Sequence, residues 1–381
     1  MKTYFYLGAI GLILFEILNV FFIMPMPGSQ EINSLDIAYF LYTHRWLFRA
    51  FFGLMIIVGI INSFQSKKKW IPIFILLALG IIIYLFNFKM CADKMFLQPK
   101  EVIFRLKDKN KLPLNSMVLS VELNGLAKAY PIRFLTYHHQ IQDIISGLPI
   151  LVTYCSVCRT GRVYEPIVKK NYEKFRLVGM DHFNAMFEDE TTKSWWRQST
   201  GEAVAGPLTG EVLPEVASSQ MSLDKWFQLY PKGLVLQADN ASKMDYDSLG
   251  KFEKGLSKKS LTRTDSLSWK NKSWIIGIEL NKIAKAYDWK QLKKVKVIND
   301  KVGSVPVVIA LANDGQSFAA FERPGNNDFT IKNDTLYTGT GKYDFAGRPI
   351  NTTGPRLKHI NAYQEFWHSW KTFHPNTLKS N

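Results

Sequence analysis

The sequence predicts a membrane region of three helices followed by a β-rich α+β soluble region made of two tandem, diverged copies. Three observations carry this expectation. Long apolar runs crowd the first 90 residues, two later segments align on each other without a gap, and both aligned segments alternate apolar strands with turn residues. With 381 residues, 47% hydrophobic and 14% aromatic, the chain has material for a packed core, which excludes wholesale disorder. Three cysteines exclude a small disulfide-built fold. The net charge of +16 asks for an anionic partner. Lipid headgroups are expected rather than nucleic acid, because the basic residues are dispersed and a bilayer anchor already supplies that partner.

The first run covers about residues 4–24 and holds one charge, Glu16. At 1.5 Å per residue it is long enough to span a hydrocarbon core. Glu16 is either a functional intramembrane carboxylate or a neutral acid facing the neighbouring helices. The second run, 46–64, contains only Arg49, near its start and able to snorkel to the interface. The third, 70–88, has no charge. Tyr4, Tyr6, Trp46, Trp70 and Tyr84 lie near the ends, as interfacial aromatics do. No cleaved leader is expected, since Met24-Pro-Met-Pro-Gly-Ser offers no small-x-small site. Lys67-Lys68-Lys69 in the short second loop points to the cytoplasm, which sends the soluble region to the other side of the bilayer.

Val118–Glu165 aligns on Ile275–Glu322 at a constant offset of 157, with 12 identities in 48 positions. They include Glu122/Glu279, Asn124/Asn281, Lys128/Lys285, Tyr130/Tyr287 and Asp143/Asp300. The layout is a membrane region over 1–90, a first copy over 97–235, a Ser/Lys/Asp-rich connector over 236–270 and a degenerate second copy over 271–377. VLSVELNGLAKAYP reads as strand, Asn-Gly turn, strand. LPILVTY is a continuous apolar strand, and MSLDKWFQLYP and YQEFWHSWKTFHP read as short helices ending before proline.

The two copies also serve as an internal control for chemistry. Cys155 and Cys158, in the first copy, fall opposite Ala312 and Gly315, and His138 and His139 fall opposite Val295 and Lys296. Residues present in one copy only are less tied to the scaffold. C-x-x-C where an apolar strand enters a turn suits a metal knuckle and equally a redox dithiol, and Arg159 and Arg162 nearby would favour thiolate. A structural zinc needs four ligands, and there is no second C-x-x-C. Cys155, Cys158 and His138 are therefore the leading metal candidates, with His139, His182, Met180 and Cys91 as further donors. Thiolate, imidazole and thioether together suit copper or zinc. Asp189 and Glu190 could pair as acid and base, though carboxylates in a turn usually cap it. No phosphate-binding G-x-x-x-x-G-K-[ST], no G-x-S-x-G and no H-E-x-x-H occurs.

Four blocks, AYPIRFLTYH, LPILVTYCSVC, DETTKSWWRQSTGEAVAGPLTG and FWHSWKTFHPNT, make the soluble half resemble the bacterial family called domain of unknown function 3179, over about residues 97–377. The resemblance implies His138, Cys155 and Cys158 as pattern positions and implies no activity. The family pattern has a glycine after the second cysteine and an acid after the histidine; here these are Arg159 and His139. The expected protein is a multi-pass resident of a bacterial cytoplasmic membrane with an extracytoplasmic domain that handles a soft metal. Two alternatives stand beside it: a thiol–disulfide oxidoreductase using the same cysteines, and a structural or partner-binding envelope protein with an inert disulfide.

Overall fold

The computed structural model describes residues 1–65, 67–253, 255–325, 327–339, 341–350 and 353–380. They form two compact units. One holds Met1–Leu97, Lys174–Arg197 and Glu202–Val212; the other holds Gln98–Glu173, Gln198–Gly201 and Leu213–Asn381.

In the first unit, helices over Lys2–Phe21, Arg45–Phe64 and Trp70–Lys89 are each 20 residues long and apolar enough to cross a bilayer. They match the three expected spans. A further short helix, Leu35–Thr43, lies between the first two. Small residues let the first two spans approach closely: a Cβ on Gly59 would lie 2.3 Å from the Phe5 backbone nitrogen, and one on Gly8 would lie 2.8 Å from the Phe52 carbonyl.

The polar residues of the spans are gathered rather than dispersed. Arg49 does not snorkel: its guanidinium makes two hydrogen bonds to Glu16, at 2.7 and 2.9 Å, and a third to Asn87 at 2.5 Å. Asn87 donates to Glu16 at 3.0 Å. Asn87 reaches this network from a π-helical turn, Leu85–Lys89, that closes the third span. Each span thus contributes one polar side chain, which meets the cost of placing a charge among apolar helices.

The same unit contains a four-stranded antiparallel sheet in chain order: Phe175–Asp181, Asn184–Asp189, Trp195–Arg197 and Ala203–Ala205. These strands lie within the sequence range of the first copy, yet they group with the helices. Gly179 allows this, because any Cβ there would lie 2.4 Å from the Ile23 carbonyl, and Met180 N–H donates to that carbonyl at 2.7 Å. Tyr39 and Tyr42 pack on the Trp195 ring at centroid distances of 5.0 and 5.4 Å. Asp189 organises its own turn, accepting from Thr192 and Ser194 N–H and from the Trp196 indole. The acid–base reading of Asp189 and Glu190 is thereby replaced by a capping one.

In the second unit the same succession of elements occurs twice. Strands Met117–Leu123 and Leu126–Pro131, helix Ile132–His138 and strands Gln140–Ile145, Leu148–Cys155 and Thr160–Tyr164 come first. Strands Trp274–Leu280 and Ile283–Asp288, helix Trp289–Val295 and strands Val297–Val302, Val305–Leu311 and Phe318–Glu322 follow. We call these the first and second modules. Each hairpin turns on two residues with positive φ, Asn124-Gly125 and Asn281-Lys282, as type I′ turns require. In both modules a returning strand, Ser218–Ser222 or Tyr363–Phe366, pairs antiparallel with the first hairpin strand. A seven-residue helix follows it (Leu223–Leu229 or Trp367–Phe373), and then a short strand pairs parallel with the second hairpin strand.

The shared identities now have a physical role. Lys128 pairs with Asp143 at 2.8 Å and Tyr130 donates to the same carboxylate at 2.6 Å; Lys285 pairs with Asp300 in the same way, with Tyr287 near that carboxylate. This Lys–Asp clasp ties hairpin to following strand in each module. The modules also share a core: Val118, Ala129, Trp226 and Phe227 pack with Val308, Ala310, Phe321 and Leu336. The expected connector is more structured than its composition suggested. It forms helices Lys243–Ser248 and Gly250–Glu253, because Tyr246 and Phe252 bury their rings in the first module's core.

The Glu16–Arg49 pair makes a direct prediction. Arg49→Leu in the full chain in detergent should cost about 3–5 kcal/mol, the penalty for stranding a buried partner charge. The double variant Glu16→Leu/Arg49→Leu should recover most of that loss in thermal denaturation. A double variant no more stable than the single one would refute an internal ion pair.

Candidate functional site

A polar cleft of about 560 Å³ lies between the modules of the second unit. It lies in the size range of small-molecule sites. Its floor is built around Arg162, on strand Thr160–Tyr164 and 2% exposed. The guanidinium spends its donors on the Ser199 carbonyl (3.2 Å), the Gly161 carbonyl (3.1 Å), the Thr160 hydroxyl and the Glu365 carboxylate (3.0 Å). Glu365 belongs to strand Tyr363–Phe366, so this buried pair joins the two modules. The guanidinium also lies 3.2 Å from the centroid of the Tyr363 ring, and the Tyr363 hydroxyl donates to Glu215.

Two carboxylates face the cleft with different environments. Glu215 stays open to the cleft, and the enclosing walls push its carboxyl above the usual range. Glu279 is held below the usual range by its hydrogen bond to His374 Nε2, at 3.1 Å. His374 in turn donates from Nδ1 to the Trp370 carbonyl (3.0 Å) and stacks on the Trp370 ring at 3.8 Å. On the opposite wall His359 shares a hydrogen bond with Ser219 at 3.0 Å. Burial, helped by Arg356, pushes it down to about 4, so it is a neutral imidazole at neutral pH. Asn281, Asn361, Ser199 and Thr200 add donors and acceptors to the lining.

A smaller cavity of about 220 Å³ sits at the corresponding place beside the first hairpin. There Glu122, the counterpart of Glu279, is capped by the Tyr230 hydroxyl (3.0 Å) and by Arg356 (2.7 Å). One glutamate is thus sealed by an arginine, while the other opens onto a cleft beside a histidine.

The residues singled out from sequence lie elsewhere. Cys155 and Cys158 are both fully buried at the end of strand Leu148–Cys155, and neither is in a disulfide. The Cys158 N–H points at Cys155 Sγ at 3.4 Å, which is the knuckle-like turn expected of the motif. Arg159 takes φ +60° at the position where the family pattern has glycine. The expected lowering of the thiol pKa is reversed. Burial and the neighbouring Cys155 push the Cys158 thiol well up. Arg162 points to Glu365, and Arg159 stacks over Phe252 and Trp274 (3.6 and 5.3 Å).

His138 ends its helix and shares a hydrogen bond with the Tyr246 hydroxyl. His139 closes that helix in the left-handed conformation, φ +63°, and burial lowers it to about 4. Cys91, Met180 and His182 belong to the first unit. Cys91 Sγ lies 3.2 Å from the Phe86 carbonyl, and His182 binds Asp181 (2.6 Å) and Asn33 (3.0 Å). Among the described residues no group of three or more His, Cys, Asp or Glu is placed to hold a metal ion. The two cysteines are brought together, and His138 does not complete a three-ligand group with them.

Sequence reading missed the cleft. The available signal was Glu279, which matches Glu122 at the 157-residue offset, with a histidine at 374 where the corresponding helix of the first module ends in Tyr230.

A family model described as "Protein of unknown function (DUF3179)" matches residues 100–377. The chain belongs to the DUF3179 family. The match covers both modules and the cleft between them. No curated protein and no solved structure matches the chain.

The Asp181–His182 pair carries a pH prediction. The hydrogen bond to Asp181 raises the His182 pKa above its ordinary 6.5. Its stabilising contribution is complete below 6.5 and fades as pH rises through the folded-state value. Against the upward push of burial, His182 and Arg197 hold Asp181 below the carboxylate range, so its contribution is lost at the acid end. An NMR titration of His182 should give a midpoint above 6.5 that drops in Asp181→Asn. A midpoint at or below 6.5 in the unmodified chain would contradict the pairing.

Proposed function

We propose that this DUF3179 protein is an extracytoplasmic, bilayer-anchored binding protein whose inter-module cleft takes a small, neutral, hydroxyl-rich solute. The observation that carries the proposal is the charge arrangement of the cleft. Glu279 is hydrogen-bonded to His374, Arg162 pairs with Glu365, Glu322 pairs with Lys358 at 2.6 Å and Glu215 is held by the Tyr363 hydroxyl, so most charged groups around the cleft already have a polar partner, and Lys282 adds one further ammonium to the lining. A strongly charged ligand of either sign would have to break these pairs. A polyol or short oligosaccharide would instead use the carboxylates as acceptors and the Asn281, Asn361 and Tyr363 side chains for orientation.

Two further inferences support this setting. The repeated element order, the repeated Lys–Asp clasp and the 157-residue offset favour tandem copies of one ancestral module. In one module Arg356 occupies the glutamate of the smaller pocket, and in the other the glutamate faces the larger cleft. In the first unit, the sheet packs beside the Leu35–Thr43 helix at the start of the second span, whereas Lys67–Lys69 lies past that span's other end, some 30 Å away at 1.5 Å per residue. The lysines then face the cytoplasm and the sheet faces outward, in a bacterial cytoplasmic membrane with anionic headgroups as partners. Copper or zinc handling at Cys155 and Cys158 ranks lower, because the pair is sealed from solvent and gathers no third His, Cys, Asp or Glu among the described residues.

Isothermal titration calorimetry on the full chain in detergent tests the proposal, with maltotriose, cellotriose, triacetylchitotriose and raffinose as probes. At least one should bind, and Glu279→Gln should weaken that binding roughly tenfold, the usual worth of one charge-assisted hydrogen bond, with an unchanged melting temperature. Absence of binding by all four, or equal binding by the variant, would overturn the proposal.

A further inference from the structure

The two cysteines sit at the seam between the modules, and the other module shows what that seam requires. At the start of helix Leu223–Leu229, the Ser222 N–H donates to the Ser317 hydroxyl (2.8 Å), and the Ser222 hydroxyl donates to Asp314 (2.8 Å). Asp314 and Ser317 come from the turn that corresponds to 157–160. A carboxylate and hydroxyls thus suffice to join a strand end to the facing turn. At the matching seam, beside helix Trp367–Phe373, the Phe366 N–H donates to the Cys158 carbonyl at 2.9 Å, and the Cys158 thiol lies against that of Cys155. The seam can therefore be built without sulfur, and on this side it is built with two thiols in contact.

The surroundings suit thiol chemistry. Lys272 lies close enough to both cysteines to feel their charge, and burial lowers its ammonium to about 8. Its Nζ donates to the Leu261 carbonyl. His368 faces Lys272 and is held neutral, its pKa near 4, chiefly by burial. The turn is also wired to the cleft. Phe366, bonded to Cys158, directly follows Glu365, which holds Arg162. Two residues before Glu365 stands Tyr363, whose hydroxyl holds Glu215.

We infer that Cys155 and Cys158 form a reversible dithiol–disulfide switch that repositions strand Tyr363–Phe366 and with it the cleft wall. The oxidant is a small disulfide, for which oxidised glutathione is the probe. One cysteine thiolate attacks a glutathione sulfur, breaking that S–S bond and releasing one glutathione thiolate. The second cysteine attacks the resulting mixed disulfide, forming the Cys155–Cys158 bond and releasing the second glutathione. The two thiol protons end on the two departing glutathiones. The cysteine pair loses two electrons and the glutathione disulfide gains them. Burial makes the exchange slow and confines it to oxidants able to enter as the seam opens.

The test uses the full chain in detergent, equilibrated in glutathione buffers of increasing oxidised fraction, then acid-quenched, alkylated and peptide-mapped. The expected result is one intramolecular link between Cys155 and Cys158, with loss of two hydrogens, restored by reduced glutathione. A change in tryptophan fluorescence from Trp274, Trp367 and Trp370 around the seam should accompany it. Cys155→Ser should abolish both signals. Both readouts are independent of any bound solute, so failure of the cleft proposal would leave this one standing. Cysteines that stay reduced in the folded chain but link once it is unfolded in urea would overturn the switch, as would a link formed with no change in fluorescence.

Discussion

The buried pair of Arg162 and Glu365 is the constraint around which the soluble unit is arranged. Both groups are withdrawn from water, a step whose desolvation cost is recovered only when the geometry is close and every donor is used. Here the guanidinium meets carbonyls, a hydroxyl and one oxygen of the carboxylate, and it covers its face with Tyr363, while Glu365 Oε1 is buried without a hydrogen-bond partner. Because Arg162 comes from one module and Glu365 from the other, neither module can satisfy its own charge. The pair therefore fixes the register of the two halves. Through Tyr363 it also sets where Glu215 stands in the cleft. A structure stabilised by apolar burial alone would tolerate sliding at this seam; an ion pair with a stacked ring and a shared carboxylate does not.

Much of the scaffold was legible in the sequence because scaffold is local or repeated. The three spans follow from apolar length, the hairpins from Asn-Gly and its counterpart, and the Lys–Asp clasps from identities at constant offset. The membrane polar network was half legible. Glu16 and Arg49 stood out as charges in apolar runs, but their pairing depends on how the helices pack, and Asn87 on a π turn that composition does not announce. The helices after Asp239 were hidden by their polar composition, since few of their residues, chiefly Tyr246 and Phe252 with Leu249 beside them, pack on the core.

The cleft was not legible, for a physical reason. Its residues come from widely separated segments: Arg162, Ser199, Glu215, Glu279, His359, Tyr363 and His374. Most lie outside the two stretches that align at constant offset, so no spacing marks them. The cysteine motif behaved in the opposite way. It stands out in sequence because its spacing is short and its counterpart lacks it, yet its thiols are sealed from solvent. Motif strength reports local geometry and says little about access. A buried pair with a raised thiol pKa is a poor open metal site and a poor fast nucleophile, but it suits a device that responds slowly and changes packing when it does.

Hydrogen–deuterium exchange on the full chain, with and without whichever oligosaccharide probe binds, tests the central claim that the cleft between the modules is where this protein meets its ligand. Protection gathered in peptides covering Thr160–Tyr164, residues 279–282 and residues 359–374, with the filled pocket around Glu122 unchanged, is the predicted result. Protection confined to other segments would contradict the account.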